Sequence, residues 1–206
     1  MNGVVCLEHP LAEDLLTRLR DRTTGQAEFR SLCDRVSFAL ALEASRSLPT
    51  AATSVETPLE SFSGKRVDAS VVVVPILRAG LGMLSSFLRI LPEASVGYIG
   101  LERNEETARA SEYYCKLPRL AETHVFVIDP MLATGGSACR ALEVLAKRDP
   151  ADVVLVSVLA APEGINEVRA AHPDVGILAA AVDRELDGNK YIRPGLGDFG
   201  DRLFGT

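Results

Sequence analysis

The chain has 206 residues, of which 47% are hydrophobic and 24% are charged, a composition typical of a globular protein with one good-sized core, so we expect a single domain over residues 1–206. Its formal net charge of −6 argues against a broad surface for nucleic acid or for anionic membranes, so an anionic ligand should be small and held by a local cluster of donors. The cysteines and histidines are scattered without a Cys-x-x-Cys pair or a ligand spacing, which argues against zinc sites and a disulfide framework.

Met1 to Pro10 lacks the basic start and apolar run of a signal peptide, and no apolar run approaches the ~20 residues of a membrane span, so we expect a cytoplasmic protein.

The chain is predicted to begin with two amphipathic helices. Apolar residues recur at helical spacing in Leu11 to Leu19 and in Gln26 to Leu48. The polar stretch Thr50 to Arg66 then predicts an irregular or short β connection.

The first strong strand signal is Val71 to Leu77, whose β-branched and apolar residues predict a central parallel strand that is covered on both faces. Arg78 follows it at once, ahead of Gly80, Gly82 and a predicted helix over Met83 to Leu91. A solvated surface group is the ordinary role of an exposed arginine. The position of Arg78 directly after a buried strand, beside two glycines, favours instead a contact with a phosphate or diphosphate.

A hairpin arm is predicted next, over about 102–118. A strand pattern in Val96 to Leu101 is followed by a strongly polar stretch and then by the alternating segment Glu112 to Leu117. Arg103, Thr107 and Arg109 on such an arm are candidates to close over an anionic ligand. The alternative is a solvated charged loop.

The most informative stretch is Val125 to Ala138, in which a buried type of strand ends in Asp129 and opens into a small glycine-rich turn. Thr134 supplies a hydroxyl, Gly135 and Gly136 allow close approach of the backbone, and a predicted helix follows. Free N–H groups and the dipole at a helix start favour a negative charge by roughly 0.3–1 kcal/mol per contact, so the turn is predicted to bind an oxyanion. An ordinary connection between strand and helix is the alternative. The spacing fits neither a P-loop nor a dinucleotide fingerprint.

The rest of the chain alternates between helices and strands, which predicts parallel pairing. The pattern gives a helix over Ser137 to Arg148, a strand over Val153 to Leu159, a helix over Pro162 to His172 and a strand over Val175 to Val182. The predicted fold is α/β, with a Rossmann-like parallel sheet flanked by helices. Glycines in the tail, about 183–206, should keep regular structure from running through it, whereas its apolar residues predict a packed loop that offers backbone polar groups to a flat ligand.

Several separated segments together resemble the uracil phosphoribosyltransferase family over nearly the whole chain. They are Ile76 to Met83, Glu102 to Thr107, Tyr113 to Pro118, Asp129 to Ser137, Pro194 to Asp198 and Gly200 to Thr206. An ordered set with matching intervals is far more specific than one glycine-rich turn. The resemblance implies a type I phosphoribosyltransferase fold with a β-hairpin arm and a base-binding C-terminal loop region. It also implies conversion of uracil and 5-phosphoribosyl 1-diphosphate (PRPP) to UMP and diphosphate in pyrimidine salvage.

The resemblance implies roles for the matching positions. Arg78 and Arg103 would hold the diphosphate, Asp129 would face the ribose hydroxyls, and Asp198 would lie where base and sugar meet; Arg103, Asp129 and Asp198 form the implied catalytic set. PRPP would also contact the residues after Asp129, namely Pro130, Met131, Leu132, Ala133, Thr134, Gly135, Gly136 and Ser137. Uracil would be bound by Ile192, Gly197, Asp198 and Phe199, largely through their backbone.

The implied cofactor is Mg²⁺, which would arrive mainly on the PRPP diphosphate, because Pro130 stands where many other phosphoribosyltransferases carry a second acid. The implied partners are uracil, PRPP and further copies of the chain in a homodimer or larger homo-oligomer, with activation by GTP left open and with neither nucleic acid nor membrane. The sequence departs from the family pattern at Phe199, where a small residue is usual, and at Lys190, where glycine is usual. Phe199 is expected either to point away from the base or to narrow its pocket.

Two alternatives with the same fold stay open. A regulatory protein that binds pyrimidine nucleotides or RNA with little catalysis would present a basic face, against which the acidic composition argues. A purine-specific enzyme should lack the tail pattern from Tyr191 to Thr206.

Overall fold

The structure is a computed structural model that describes residues 3–103 and 110–206, excluding the side chains of residues 102, 103 and 110–112. Its strands are β1 (Val4–Cys6), β2 (Thr50–Glu56), β3 (Ser61–Val67), β4 (Val71–Leu77), β5 (Ser95–Val96), β6 (Tyr98–Arg103), β7 (Ala110–Lys116), β8 (His124–Ile128), β9 (Met131–Leu132), β10 (Asp152–Ala160), β11 (Gly176–Val182), β12 (Glu185–Leu186) and β13 (Ile192–Arg193). Its helices are α1 (Pro10–Arg20), α2 (Gln26–Ala44), α3 (Leu81–Ile90), α4 (Gly136–Ala146), α5 (Pro162–Ala171) and α6 (Phe199–Phe204). None of the helices in the described ranges is long and apolar enough to cross a membrane.

The central sheet has the strand order β1-β11-β10-β8-β4-β6-β7, with β5 paired to β4 and β9 paired to β10. Its strands pair in parallel, except that β6 and β7 form an antiparallel hairpin. In the middle of the sheet Ile128 of β8 lies opposite Pro75 of β4 and Val156 of β10. The carboxyl ends of these strands therefore meet at one edge, which is where open parallel sheets bind their ligands.

Helices cover both faces of the sheet. Successive residues of a strand point to opposite faces. In β4, Val73 packs in one apolar cluster with α1, α2 and α3, whereas Val72 and Val74 pack in a second cluster with α4 and α5. Burial of both faces accounts for the unbroken apolar run Val71–Leu77. The predicted α/β fold, with a parallel sheet flanked by helices, is confirmed.

Most of the predicted elements lie close to their expected bounds, and the structure differs from the prediction in three places. The strand expected over Val96 to Leu101 is divided at Gly97, whose N–H donates to the carbonyl of Val73 at 3.0 Å. The connection Thr50 to Arg66 is a regular antiparallel hairpin of β2 and β3. The sequence does not reveal β1, because a strand this short shows no periodicity.

The tail is more regular than the sequence predicts. Although glycines should interrupt it, β12 and β13 form an antiparallel pair and α6 follows them. The side chain of Asp198 caps α6 by accepting the N–H of Asp201 at 2.9 Å, and Gly205, in the left-handed region at φ 79°, ends it. Helix α6 packs on the core through Leu203. The tail is thus a packed segment, as expected, but with short regular elements that side-chain capping makes possible.

Candidate active site

The glycine-rich turn (residues 129–137) connects β8 to α4 at the carboxyl edge of the sheet. The N–H of Asp129 donates to the carbonyl of Val156 at 3.1 Å, and the N–H of Ala161 donates to the carbonyl of Leu132 at 2.9 Å. These bonds attach the turn to β10. Its residues line a hollow of about 110 Å³ that opens at the start of α4, and the lining includes the hydroxyl side chains of Thr134 and Ser137. The turn therefore encloses a hollow at the place where the sequence predicts that an oxyanion binds.

Two glycines allow the turn to lie against α5. Gly135 adopts φ 85° at the start of α4, a left-handed conformation that disfavours other residues. A Cβ atom on Gly164 of α5 would lie 2.4 Å from the carbonyl oxygen of Ala133. Gly164 is not among the residues that the sequence predicts for the site, and its one sequence signal is a glycine in the first turn of a helix. The position of the turn thus depends on a glycine that lies about thirty residues further along the chain.

Asp129 carries the most perturbed carboxyl group of the turn. Its partial burial removes water from the carboxylate and raises its pKa to about 7, although the N–H of Met131 donates to it and favours the charged form. Near neutral pH the carboxyl group is therefore poised between its protonated and ionised forms. A ligand that offers hydroxyl donors would favour the ionised form.

Arg78 lies directly after β4, and the peptide bond between Leu77 and Arg78 is cis. The chain turns closely over β8 here, since a Cβ atom on Gly80 would lie 2.5 Å from the carbonyl oxygen of Ile128. Arg78 is exposed at the same sheet edge as the glycine-rich turn. Arg78 therefore occupies the strand-end position for which the sequence predicts a contact with a phosphate or diphosphate.

A pocket of about 260 Å³ joins three separate parts of the chain. Arg78 lines it from the end of β4, Met131 from the glycine-rich turn, and Asp198 from the tail. Phe199, Gly200 and Phe204 of the tail also line the pocket. Because Met131 also lines the hollow at the start of α4, the two cavities adjoin. The hollow at the start of α4 and the pocket beside the tail are thereby placed side by side.

Comparison with known proteins assigns the family. A family model described as uracil phosphoribosyltransferase matches residues 5–206. Curated proteins of that name include one from Salinibacter ruber, which is 48% identical over 100% of this chain and 99% of its own length. Another, from Halalkalibacterium halodurans, is 49% identical over 100% of both chains. The chain belongs to the uracil phosphoribosyltransferase family.

Solved structures resemble this chain in fold. A protein from Aquifex aeolicus superposes with a TM-score of 0.94 at 37% identity, covering 99% of each chain. A hypoxanthine-guanine phosphoribosyltransferase from Bacillus anthracis gives a TM-score of 0.53 at 11% identity, covering 77% of this chain and 80% of that one. The second likeness concerns the fold alone. Together they confirm the predicted type I phosphoribosyltransferase fold.

Phe199 departs from the usual uracil phosphoribosyltransferase pattern, and the structure decides between the two expectations for it. Its ring is 2% exposed and meets the ring of Phe29 edge-on, with centroids 5.3 Å apart. The bulk of the side chain therefore points into the core below α2, which leaves the backbone of the tail on the pocket side. Ile192 is similar, since its side chain is 5% exposed and packs in the same cluster.

Lys190, the second departure, occupies a strained position in the turn between β12 and β13. Its φ of 68° lies in the left-handed region, which glycine adopts at no steric penalty. The turn is held by the carboxylate of Asp187, which accepts the N–H groups of Asn189 and Tyr191 at 2.9 and 3.0 Å. The side-chain hydrogen bonds thus fix a backbone conformation for which glycine is the natural residue.

Part of the predicted site lies outside the described residues. Arg103 ends β6, but its side chain is not described, and Thr107 and Arg109 fall within residues 104–109, which are not described at all. In the two described ranges, no group of three or more His, Cys, Asp or Glu side chains is placed to hold a metal ion.

Proposed function

We propose that this chain transfers the phosphoribosyl group of PRPP to uracil, forming UMP and releasing diphosphate. The observation that carries the proposal is the pocket in which Arg78, Met131 and Asp198 meet beside the glycine-rich turn. In this proposal the helix start would bind the 5-phosphate, Arg78 the diphosphate and the tail the base.

The 5-phosphate of PRPP would bind in the hollow at the start of α4. Residues Ala133 to Ser137 surround it, and the free N–H groups at the start of α4 point to where an anion is favoured. The hydroxyl of Thr134 adds a donor at the surface of the same hollow. We assign Pro130, Met131 and Leu132 to the side of the hollow that continues toward the sugar.

The reacting carbon would lie between Asp129 and Arg78. Breaking the bond between C1 of the sugar and diphosphate develops positive charge on the ribose ring, as in glycoside transfer. The ionised form of Asp129 would accept hydrogen bonds from the ribose hydroxyls and favour that charge. Arg78, together with Arg103, would stabilise the negative charge that grows on the leaving diphosphate.

Mg²⁺ fits the proposed site as an ion that PRPP carries in. The described residues provide no carboxylate cage, and the glycine-rich turn contains a single carboxylate, Asp129. A Mg²⁺ ion commonly keeps substrate phosphates and water among its ligands. When bound, the ion would supply charge neutralisation to the leaving diphosphate.

Uracil would be recognised by the backbone of the tail. The side chains of Phe199 and Ile192 are buried in the core, and the tail lines the pocket with Asp198, Phe199 and Gly200. The main chain of this segment, with Gly197 directly before it, and the carboxylate of Asp198 would supply the polar groups. A carbonyl that accepts the N3–H of uracil, and an N–H that donates to a ring oxygen, would be mismatched with cytosine. Such polar mismatches can give ~10⁴-fold discrimination.

The direct test is to supply the protein with Mg²⁺, PRPP and one base at a time, and to identify the nucleotide by chromatography. We expect UMP from uracil, with cytosine at least about a hundredfold poorer in kcat/KM because of the unpaired polar groups. Formation of a purine nucleotide from hypoxanthine or guanine would contradict the proposal. Comparable turnover of uracil and cytosine would contradict the backbone-recognition part alone.

A further inference from the structure

The tail loop (residues 194–198) is held from outside by a side-chain network that begins on α1. Arg20, the last residue of α1, donates from Nη1 and Nη2 to the two oxygens of Asp183, each at 2.7 Å. Nη1 of Arg20 also donates to the carbonyl of Gly195 at 2.9 Å. The carboxylate of Asp183 in turn accepts the N–H of Gly195 at 2.9 Å. Both polar backbone groups of Gly195 are therefore bound by one ion pair.

This ion pair is attached to the rigid part of the fold. Asp183 follows β11 directly, and its own N–H donates to the carbonyl of Ala160 at the end of β10, at 2.8 Å. Its side chain is 5% exposed, whereas that of Arg20 is 25% exposed. A bidentate ion pair that is this little exposed to solvent has a fixed geometry, and it holds its hydrogen-bond partners more firmly than a surface ion pair does. The ion pair thus holds Gly195 in a fixed position relative to the carboxyl edge of the sheet.

The next residue of the tail loop is held by a second arginine. Arg202 of α6 donates to the carbonyl of Leu196 at 2.8 Å and to the carbonyl of Asp21, just past α1, at 2.6 Å. Its guanidinium group lies 4.4 Å from the centre of the Phe29 ring. Cations are favoured at a helix C-terminus. Arg20 and Arg202 therefore bind the carbonyls of two consecutive residues of the loop, Gly195 and Leu196.

The loop needs such support because its backbone is unusual. Gly195 and Gly197 have φ values of 63° and 85°. A Cβ atom on Gly195 would lie 2.1 Å from the carbonyl oxygen of Ile192, so the loop doubles back tightly on β13. Glycine loses more conformational freedom on ordering than any other residue. Without external partners, the peptide groups around Gly197 would sample several orientations.

We propose that Arg20 and Asp183 are positioning residues for base recognition. They fix the peptide groups of Gly195 and thereby the orientation of the backbone at Gly197, two residues on, that meets uracil. A loop that is ordered before the base arrives loses less entropy on binding. This inference rests on the proposed function, since it assigns the network to the uracil half of that site and not to the PRPP half.

The test compares Arg20→Gln with Arg18→Gln. Arg18 lies on the same helix, but it pairs with Glu28 at the surface and does not contact the tail loop, which makes it the matched control. For Arg20→Gln we expect the KM for uracil to rise about tenfold, the equivalent of one well-made hydrogen bond, while the KM for PRPP changes less than about twofold. Arg18→Gln should leave both KM values unchanged.

A milder variant and a physical readout keep the test decisive if Arg20→Gln folds poorly. Arg20→Lys retains the charge beside Asp183 but not the fork, and it should raise the KM for uracil by about threefold. Amide hydrogen exchange in residues 192–199 should be faster than in the wild type, with exchange in β4 and β8 unchanged. Equal increases in both KM values, or unchanged uracil KM with unchanged exchange, would overturn the proposal. If the wild type itself forms no UMP, the proposed function fails, whereas the exchange result still reports on the network.

Discussion

The two sides of the candidate site are built in different ways. The glycine-rich turn is attached to β10 by backbone hydrogen bonds, and α4 begins within it, so neighbouring elements of the sheet define its shape. The tail loop is fixed mainly by the side chains of Arg20 and Arg202, and Arg20 is far away in sequence. The side proposed for the phosphate is therefore defined by the fold, while the side proposed for the base is held in place by specific side chains.

Asp198→Asn provides the largest expected effect and tests the chemistry of the tail loop. Asparagine caps helices as well as aspartate does, so α6 should keep its cap and the melting temperature should stay within a few degrees. If the carboxylate assists loss of the uracil N1 proton or orients the donor, kcat should fall by about 10²–10³-fold. Steady-state kinetics at saturating PRPP and uracil measure this. Near-normal turnover would reduce Asp198 to a helix cap.

Gly164→Ala disturbs the glycine-rich turn from behind. The added methyl group would lie 2.4 Å from the carbonyl oxygen of Ala133, so the turn or α5 must move, which should destabilise the fold by about 1–3 kcal/mol. The KM for PRPP should rise more than the KM for uracil. Gly188→Ala is the matched control, because nothing lies within 4 Å of a Cβ atom there. A selective increase in the uracil KM would break the assignment of the turn to the donor.

The pH dependence of Asp129 tests the same side of the site electrostatically. Its folded pKa of about 7 is above the unfolded value, so the neutral form is favoured by folding, and the stability that it contributes is lost as pH rises from about 4 through 7. Binding of ribose hydroxyls prefers the ionised form. The kcat/KM for PRPP should therefore increase by about tenfold from pH 6 to a plateau above pH 7.

Asp129→Asn is the control for this pH effect. It should lower kcat/KM for PRPP, remove the part of the pH profile that does not come from PRPP itself, and make the unliganded protein more stable than the wild type at pH 8. Calorimetric melting at pH 5 and pH 8 checks the stability. An unchanged pH profile in the variant would assign the titration to another group.

The contrast between the two regions also explains which parts of the site are visible in the sequence. The sequence clearly predicts the strand Val71–Leu77 and the strand before Asp129. Buried parallel strands are apolar throughout, so a charged residue at their end is easily recognised. The roles of Arg20 and Asp183 leave no local pattern, since their partners are brought near only by folding. Gly164 is hidden for the same reason.

Side-chain direction is a further quantity that residue type alone does not determine. Phe199 is as compatible with a base pocket as with the core, and its direction becomes known only once Phe29 is seen beneath it. Helix α6 is another example, because the glycine-rich tail around it argues against regular structure while the cap from Asp198 stabilises it. In the first case a tertiary contact, and in the second a local side-chain cap, decides what residue type alone does not.

Lys190→Gly has the smallest expected effect and sharpens the comparison from the side of the tail. Glycine removes the strain of a left-handed φ of 68° but gains freedom in the unfolded chain, so we expect a net stabilisation of no more than about 1 kcal/mol. The gain should be measurable as an increase of a few degrees in melting temperature. The turn lies beyond β13 from the tail loop and is held by Asp187, so the KM for uracil should not change. A large change in uracil KM would mean that the base side extends through β13 to this turn, and that its support is not confined to the arginines at α1 and α6.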